Sequence, residues 1–258
     1  PGAGERRRGL ARRAGAEARR IADGDFLETP EGQAFSVEFQ RWIQALCEET
    51  GLPPGEATFS PDGLWAFFLE AFASADPPLP DDARRAFEER LAAFRGEWDA
   101  YAAARPGLTP MERARETSNF WPALYEAVGD TFPEPFVEAA RAAFDDFNLA
   151  TPTESKWFSG QRSQVQEQIS RSISADLGLD DRRQAALGPL VDAFMRRTEE
   201  ANRLGIDGSR ESRRRVARAQ YDAMLLLQKD IAATLSLDAG QAGRVRDWET
   251  LYGFQLLE

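Results

Sequence analysis

The stretch Leu177–Gln241, LGLDDRRQAALGPLVDAFMRRTEEANRLGIDGSRESRRRVARAQYDAMLLLQKDIAATLSLDAGQ, decides how the chain is read. It opens with Leu177-Gly178-Leu179-Asp180 and comes to its close with Leu235-Ser236-Leu237-Asp238, so similar punctuation stands at both ends. Two long helical patterns lie between, interrupted once at Gly205-Ile206-Asp207-Gly208. Leu187, Leu190, Val191, Phe194 and Met195 line one face of the first arm. Val216, Ala219, Ala223, Leu227, Ile231 and Leu235 line one face of the second. Apolar residues at steps of three and four make an amphipathic helix, and two such helices across a Gly-containing break make a helical hairpin. The outer face of the second arm is basic, with Arg210, Arg213, Arg214, Arg215 and Arg218, and is either a solvated helix face or a contact surface.

Outward from the hairpin the same grammar repeats. Thr29-Pro30, Ser60-Pro61, Thr109-Pro110 and Thr151-Pro152 each read as a helix start, because the hydroxyl caps free N–H groups and proline fits the first helical position. Glu112 and Glu154 complete capping boxes with Thr109 and Thr151. Phe35, Phe39, Trp42, Ile43 and Leu46 share one face of a helix from about 29 to 50, which Gly51-Leu52-Pro53-Pro54-Gly55 ends. The next helix, about 61–74, is apolar almost all round, which places it either in the middle of a core or against a client or partner. Its residues Trp65, Phe68 and Phe72, with Arg210, Arg213 and Arg214 of the hairpin, are the candidate partner-binding residues. Phe87, Leu91, Phe94, Trp98 and Tyr101 form a heptad seam on a helix from Asp81 to about Ala104, suited to packing within the chain. Phe120, Trp121, Leu124, Tyr125 and Val128 form the stripe of the helix that Thr109 starts, with a kink expected at Pro122. A short helix is expected from Pro135 to Phe147, a helix from Thr151 toward Asp176, and a last helix carrying Val245, Trp248, Leu251 and Tyr252.

No alternating strand pattern stands out, so the chain reads as all-α: a multi-helix bundle of amphipathic hairpins. At 258 residues, one elongated domain or two helical subdomains are both allowed. The boundary falls at 148–151, dividing an aromatic-rich subdomain (26–150) from the hairpin subdomain (151–258), with residues 1–25 as a basic tail or frayed helix. Net charge is −11; the first twenty residues carry seven Arg and two Glu and contribute +5, leaving −16 for the rest. An acidic body argues against nucleic acid, whose phosphates need a basic surface. The basic N-terminal run is a solvated tail or a contact for an anionic surface. No apolar run is long enough to span a membrane. The chain opens on Pro1 and reads as a processed product whose targeting signal lies outside it.

The sequence contains no histidine, which removes Ser-His and Cys-His catalysis and histidine metal sites. Cys47, the single cysteine, has no partner for a disulfide and reads as a small hydrophobe on the apolar side of its helix. Asp81-Asp82, Asp145-Asp146 and Asp180-Asp181 sit at expected helix ends and read as capping or solvated groups. Asp23-Gly24-Asp25 and Asp207-Gly208 lack the spaced oxygen ligands of a calcium loop, and no phosphate-binding glycine loop is present. No catalytic, cofactor or metal residues are assigned, and an enzyme working through carboxylates alone is the least favoured reading.

At the hairpin's two ends the residues resemble the Spy-type periplasmic chaperones of the LTxxQ family, whose mark is Leu-Thr-x-x-Gln at a helix start before and after a long hairpin. The second copy here reads Leu237-Asp238-Ala239-Gly240-Gln241, and the first reads Leu179-Asp180-Asp181-Arg182-Arg183, with Gln184 one place beyond. Aspartate replaces threonine in both, and caps a helix as well. The resemblance covers residues 165–255. It implies a periplasmic or envelope protein of a bacterium that binds unfolded or partner polypeptide without ATP, through the concave face of a hairpin whose arms here are 185–204 and 210–235. The alternative is an assembly subunit docking one defined protein through the aromatic first half. A fainter parallel, Leu108-Thr109-Pro110-Met111-Glu112 leading to Leu124-Tyr125, points to a duplicated helical unit.

Overall fold

The computed structural model describes residues 3–16, 25–74, 80–118, 120–129, 155–204 and 210–257. The fold is all-α with one small sheet, and the chain divides into two compact units. The first comprises Pro1–Ala104 and Phe120–Pro152; the second comprises Arg105–Asn119 and Thr153–Glu258. The segment 105–119 thus goes with the hairpin. The expected helix at 135–147, the cap at Thr151, the boundary at 148–151 and the hairpin turn at 205–208 lie outside the described residues.

In the first unit, α1 (Ala3–Ala16), α2 (Pro30–Thr50), α3 (Pro54–Phe59), α4 (Leu64–Ala73), α5 (Asp81–Ala104) and α7 (Phe120–Gly129) build an aromatic core. The Thr29 hydroxyl accepts from Gly32 N, the cap that its sequence implied. Phe39, Trp42, Ile43 and Leu46 of α2 are buried, as is the whole seam Phe87, Leu91, Phe94, Trp98 and Tyr101 of α5. Trp65 stacks on Phe94 at 4.4 Å between ring centres, and Phe72 meets Phe87 edge-on at 4.3 Å.

The structure narrows one open reading and corrects two expectations. Described residues of the N-terminal run form helix α1, whose Leu10, Ala11 and Ala14 are buried. Arg7 pairs with Asp62, Arg12 with Glu70 and Arg13 with Glu38, so of the two readings, tail or helix, the described residues favour the helix, with these cations meeting carboxylates of the same unit. Ser60-Pro61 does not start a helix: Ser60 is the C-terminal cap of the short helix α3, its hydroxyl donating to Ala57 O, and α4 begins at Leu64 after Gly63. The helix that Thr109 caps ends at Thr117, and α7 begins at Phe120. Pro122 therefore falls in a first turn, where a missing N–H costs nothing, and does not kink a continuous helix.

In the second unit, α6 (Pro110–Thr117) carries the complete Thr109–Glu112 capping box. The other helices are α8 (Arg162–Leu177), α9 (Asp181–Arg203), α10 (Arg210–Thr234) and α11 (Ala239–Arg246). Arms α9 and α10 of the hairpin pack along each other. Their apolar faces close over Val165, Ile169, Ile173 and Leu177 of α8, Met111 of α6 and Val245 of α11. Strands β1 (Ser155–Gly160) and β2 (Leu251–Leu256) overturn the strandless reading. They replace the start of one expected helix and the end of another.

The two ends of the hairpin meet. Asp180 caps α9 by accepting from Arg183 N, and Asp238 caps α11 by accepting from Gln241 N. Gln241, 4 % exposed, then joins the copies: its Nε2 donates to Leu177 O at 3.1 Å and Gly178 O at 3.3 Å, while its Oε1 accepts from Asp238 N and Arg183 Nη1. A helix C-terminus leaves carbonyls without partners, and here the N-terminus of another helix supplies the donor.

Candidate functional site

β1 and β2 lie parallel in register, from Ser155 opposite Leu251 to Gly160 opposite Leu256. A parallel pair needs a crossover, and this one runs through α8, α9, α10 and α11. At Gly160, φ is +147°, a backbone open to glycine, and it turns β1 into the start of α8, where Gln161 N donates to Gln164 Oε1 at 3.2 Å. The inner residues bind the sheet to the helices. Phe158 stacks on Tyr252, and Phe254 meets Phe194 of α9. Lys156 Nζ lies 2.9 Å from Asp176 Oδ2 and 3.3 Å from Ser172 Oγ, and Tyr252 OH donates to the same Asp176 oxygen at 3.1 Å.

The outer face is different. Ser155, Trp157 and Ser159 are exposed, and Trp157, at 69 %, is the most exposed large hydrophobic among the described residues. Its indole lies over Gly253 of β2, where an added Cβ would overlap the ring. Leu257 N donates to Gly160 O at 3.0 Å, so Gly160 directs its main-chain groups toward β2. The N–H and C=O of one strand residue point to the same side, and the side alternates. Lys156 and Phe158 therefore also bond β2, and the main-chain groups of Ser155, Trp157 and Ser159 point to the free edge. No partner for them is present among the described residues. Parallel sheets are ordinarily covered on both faces, and among the described residues nothing covers this one's outer face or its β1 edge.

At the N-terminal end of the strands lies an open cleft of about 570 Å³, lined by Lys156, Asp176, Gly240, Gly243, Arg244 and Trp248 among others. Its charges are largely engaged. Asp176 serves Lys156 and Tyr252, Arg244 Nη2 donates to Leu177 O at 2.8 Å, and Asp247 pairs with Arg246. The Arg246 guanidinium holds the Asp247 carboxyl below the usual carboxylate range, chiefly by hydrogen bonding. A side chain added at Gly243 would meet nothing, so this wall is bare without a packing reason.

The residues singled out from sequence fall elsewhere. Trp65, Phe68 and Phe72 are 1–3 % exposed inside the first unit, so they are core and present no face to a partner. Their helix is apolar all round because it sits between α1, α5 and the other core helices. Arg210, Arg213 and Arg214 lie on α10, with side chains outside the described residues. Farther along that helix, Arg218 approaches Glu116 of α6 at 3.8 Å, and Asp222 pairs with Arg115 at 2.6 Å. The apolar faces of the hairpin arms are core as well, so the concave surface implied by the Spy-type resemblance is filled by α8, α6 and α11. Cys47 is partly buried, and burial pushes its thiol pKa up. Among the described residues no cluster of Cys, Asp or Glu could hold a metal ion, and no helix is long and apolar enough to cross a membrane. Trp157 is legible only as one of six tryptophans, because Ser155-Lys156-Trp157-Phe158-Ser159 shows no polar–apolar alternation.

Compared with protein-family models, curated proteins and solved structures, the chain matches none.

Proposed function

We propose that the chain is a non-enzymatic binding protein that takes an extended segment of polypeptide onto the free edge of β1, with Trp157 as its apolar platform. One observation carries the reading: an exposed indole stands on a strand whose outward N–H and C=O groups have no partner among the described residues. Strand addition satisfies such an edge through the backbone of the incoming segment, which makes recognition tolerant of its sequence. Aromatic side chains bury much area for little lost rotamer freedom, so Trp157 supplies the apolar part of the contact. The likeness of the hairpin ends to Spy-type chaperones supports a bacterial envelope location and a client that is unfolded or partly extended.

The test uses a labelled, permanently unfolded, carboxymethylated polypeptide and fluorescence anisotropy. Trp157→Lys puts a charge on the platform, and Ser155→Pro removes an outward N–H without touching the β1–β2 ladder. Each is expected to weaken binding about tenfold or more, the loss of one central contact. Absence of binding by the native chain, or unchanged binding by both variants, contradicts the proposal.

A further inference from the structure

We infer that the segment this edge fits best is β1 of a second copy of the chain, laid antiparallel across a two-fold axis at Trp157. The inference rests on the edge being a recognition surface, as proposed above. Its basis is a symmetry in the outward residues. Read along the edge they are Ser155, Trp157 and Ser159, the same in either direction. A two-fold contact must be self-complementary, each residue meeting the copy of its mirror position. Antiparallel pairing about Trp157 sets Trp157 opposite its own copy and Ser155 opposite the copy of Ser159. The main-chain groups of all three point outward, so each facing pair exchanges both of its N–H···O=C bonds. Facing Cα atoms then stand about 5.5 Å apart, and each indole, which in the single chain leans over Gly253 of its own β2, reaches its copy by swinging toward the new seam. The product is one continuous sheet in the order β2, β1, β1, β2.

Nothing in this edge opposes that pairing. Lone edges are commonly protected by lysine, proline or a bulge. Ser155, Trp157 and Ser159 carry no charge, and the pairing with β2 is regular over all six residues of β1. Lys156, the one charged residue of β1, is held on the inner face by Asp176. A foreign strand would find the same backbone groups without the matched Ser-Trp-Ser pattern. Two features limit the strength of the contact. With each indole 69 % exposed, covering both removes on the order of 200–350 Å² from water, well under the roughly 1,000 Å² of a permanent interface. Each copy also carries −11, so the copies repel. Association is therefore reversible, and added salt strengthens it by screening that repulsion.

Sedimentation equilibrium on the full chain, across a dilution series up to ~0.5 mM at low and at roughly physiological salt, tests this. The expected result is a mass that rises from 28.7 kDa toward twice that on concentrating, and more steeply with salt. Trp157→Lys and Ser155→Pro should each stay at the single-chain mass, the second without any change of side-chain charge. A mass fixed at 28.7 kDa throughout overturns the inference, as does a dimer that both variants still form. The anisotropy assay separates the two readings. A native chain that stays monomeric yet binds unfolded polypeptide through Trp157 has an edge built for another strand, and only the second copy is excluded. A chain that neither self-associates nor binds polypeptide loses both.

Discussion

Replacing Gln241 tests whether the hairpin is tied at its ends or merely capped there. The side chain makes four hydrogen bonds: to Leu177 O, Gly178 O, Asp238 N and Arg183 Nη1. A buried hydrogen bond contributes about 1 kcal/mol net, and an orphaned buried partner costs about 1–3 kcal/mol. In Gln241→Ala, Leu177 O keeps the Arg244 guanidinium, and Arg183 is exposed enough to rehydrate. Gly178 O and Asp238 N lose partners. The expected loss is about 2–3 kcal/mol, less than a plain sum of the four bonds. Gln241→Glu is the sharper variant. It keeps an acceptor for Asp238 N and Arg183 but turns a carboxylate oxygen toward two carbonyl oxygens. That environment raises the carboxyl pKa in the folded state. The penalty is therefore absent below the unfolded value of about 4.3, where the acid is protonated in both states and can donate again, and it grows as pH rises from there through the raised folded value. A chain with two compact units has no single melting temperature to interpret, so the assay is native-state hydrogen exchange at the slowest amides of α8 and α10. Gln241→Ala should speed them roughly 30- to 150-fold, the equivalent of about 2–3 kcal/mol. A change below about threefold refutes the tie and leaves Gln241 as an ordinary helix cap.

Three further outcomes follow from the same geometry. Gly15 sits against the Ala71 carbonyl, so Gly15→Val should lift α1 from α4 at a cost of about 1–3 kcal/mol, read as faster proteolysis within residues 3–16. Burial raises the Cys47 thiol pKa, so its alkylation near pH 8 should run slower than that of free cysteine, and the gap should narrow in urea. The Asp247 carboxyl should titrate below the ordinary aspartate range by carbon-detected NMR; Arg246→Ala or high salt should bring it back up, with no measurable effect on stability because the pair is fully exposed.

Most helices were legible because their signals are local. Thr29, Thr109, Asp180 and Asp238 cap the helices that their sequences announce. The stripe of α5 is buried residue for residue as its spacing predicts. The strands were not legible for the opposite reason. Tyr252 and Phe254 alternate inward at period two, but Trp248, Leu251 and Tyr252 also step by three and one, as on a helix. What makes Leu251–Leu256 a strand is its pairing with a segment ninety-six positions earlier, and no local window contains that partner. For residues 1–25 the sequence leaves tail and helix both open, because apart from Leu10 the contact of α1 rests on small residues, Ala11, Ala14 and Gly15, which carry almost no hydrophobic signal. The aromatic half of the candidate site shows the same limit. The apolarity of Trp65, Phe68 and Phe72 describes a core helix as well as an exposed one, and only the neighbours of that helix decide between them. Pro189 lies inside α9, where it leaves the Ala185 carbonyl without its helical N–H donor.

Residue-resolved hydrogen exchange along β1 tests the free edge most directly. In dilute protein the amides of Ser155, Trp157 and Ser159 should exchange rapidly, while those of Lys156, Phe158 and Gly160, bonded to β2, should be slow. Addition of unfolded polypeptide should slow the first three and leave the second three as they were. Uniform protection along β1 in the dilute chain, or no gain at Ser155, Trp157 and Ser159 when polypeptide is present, would contradict a free edge that recognises an extended strand.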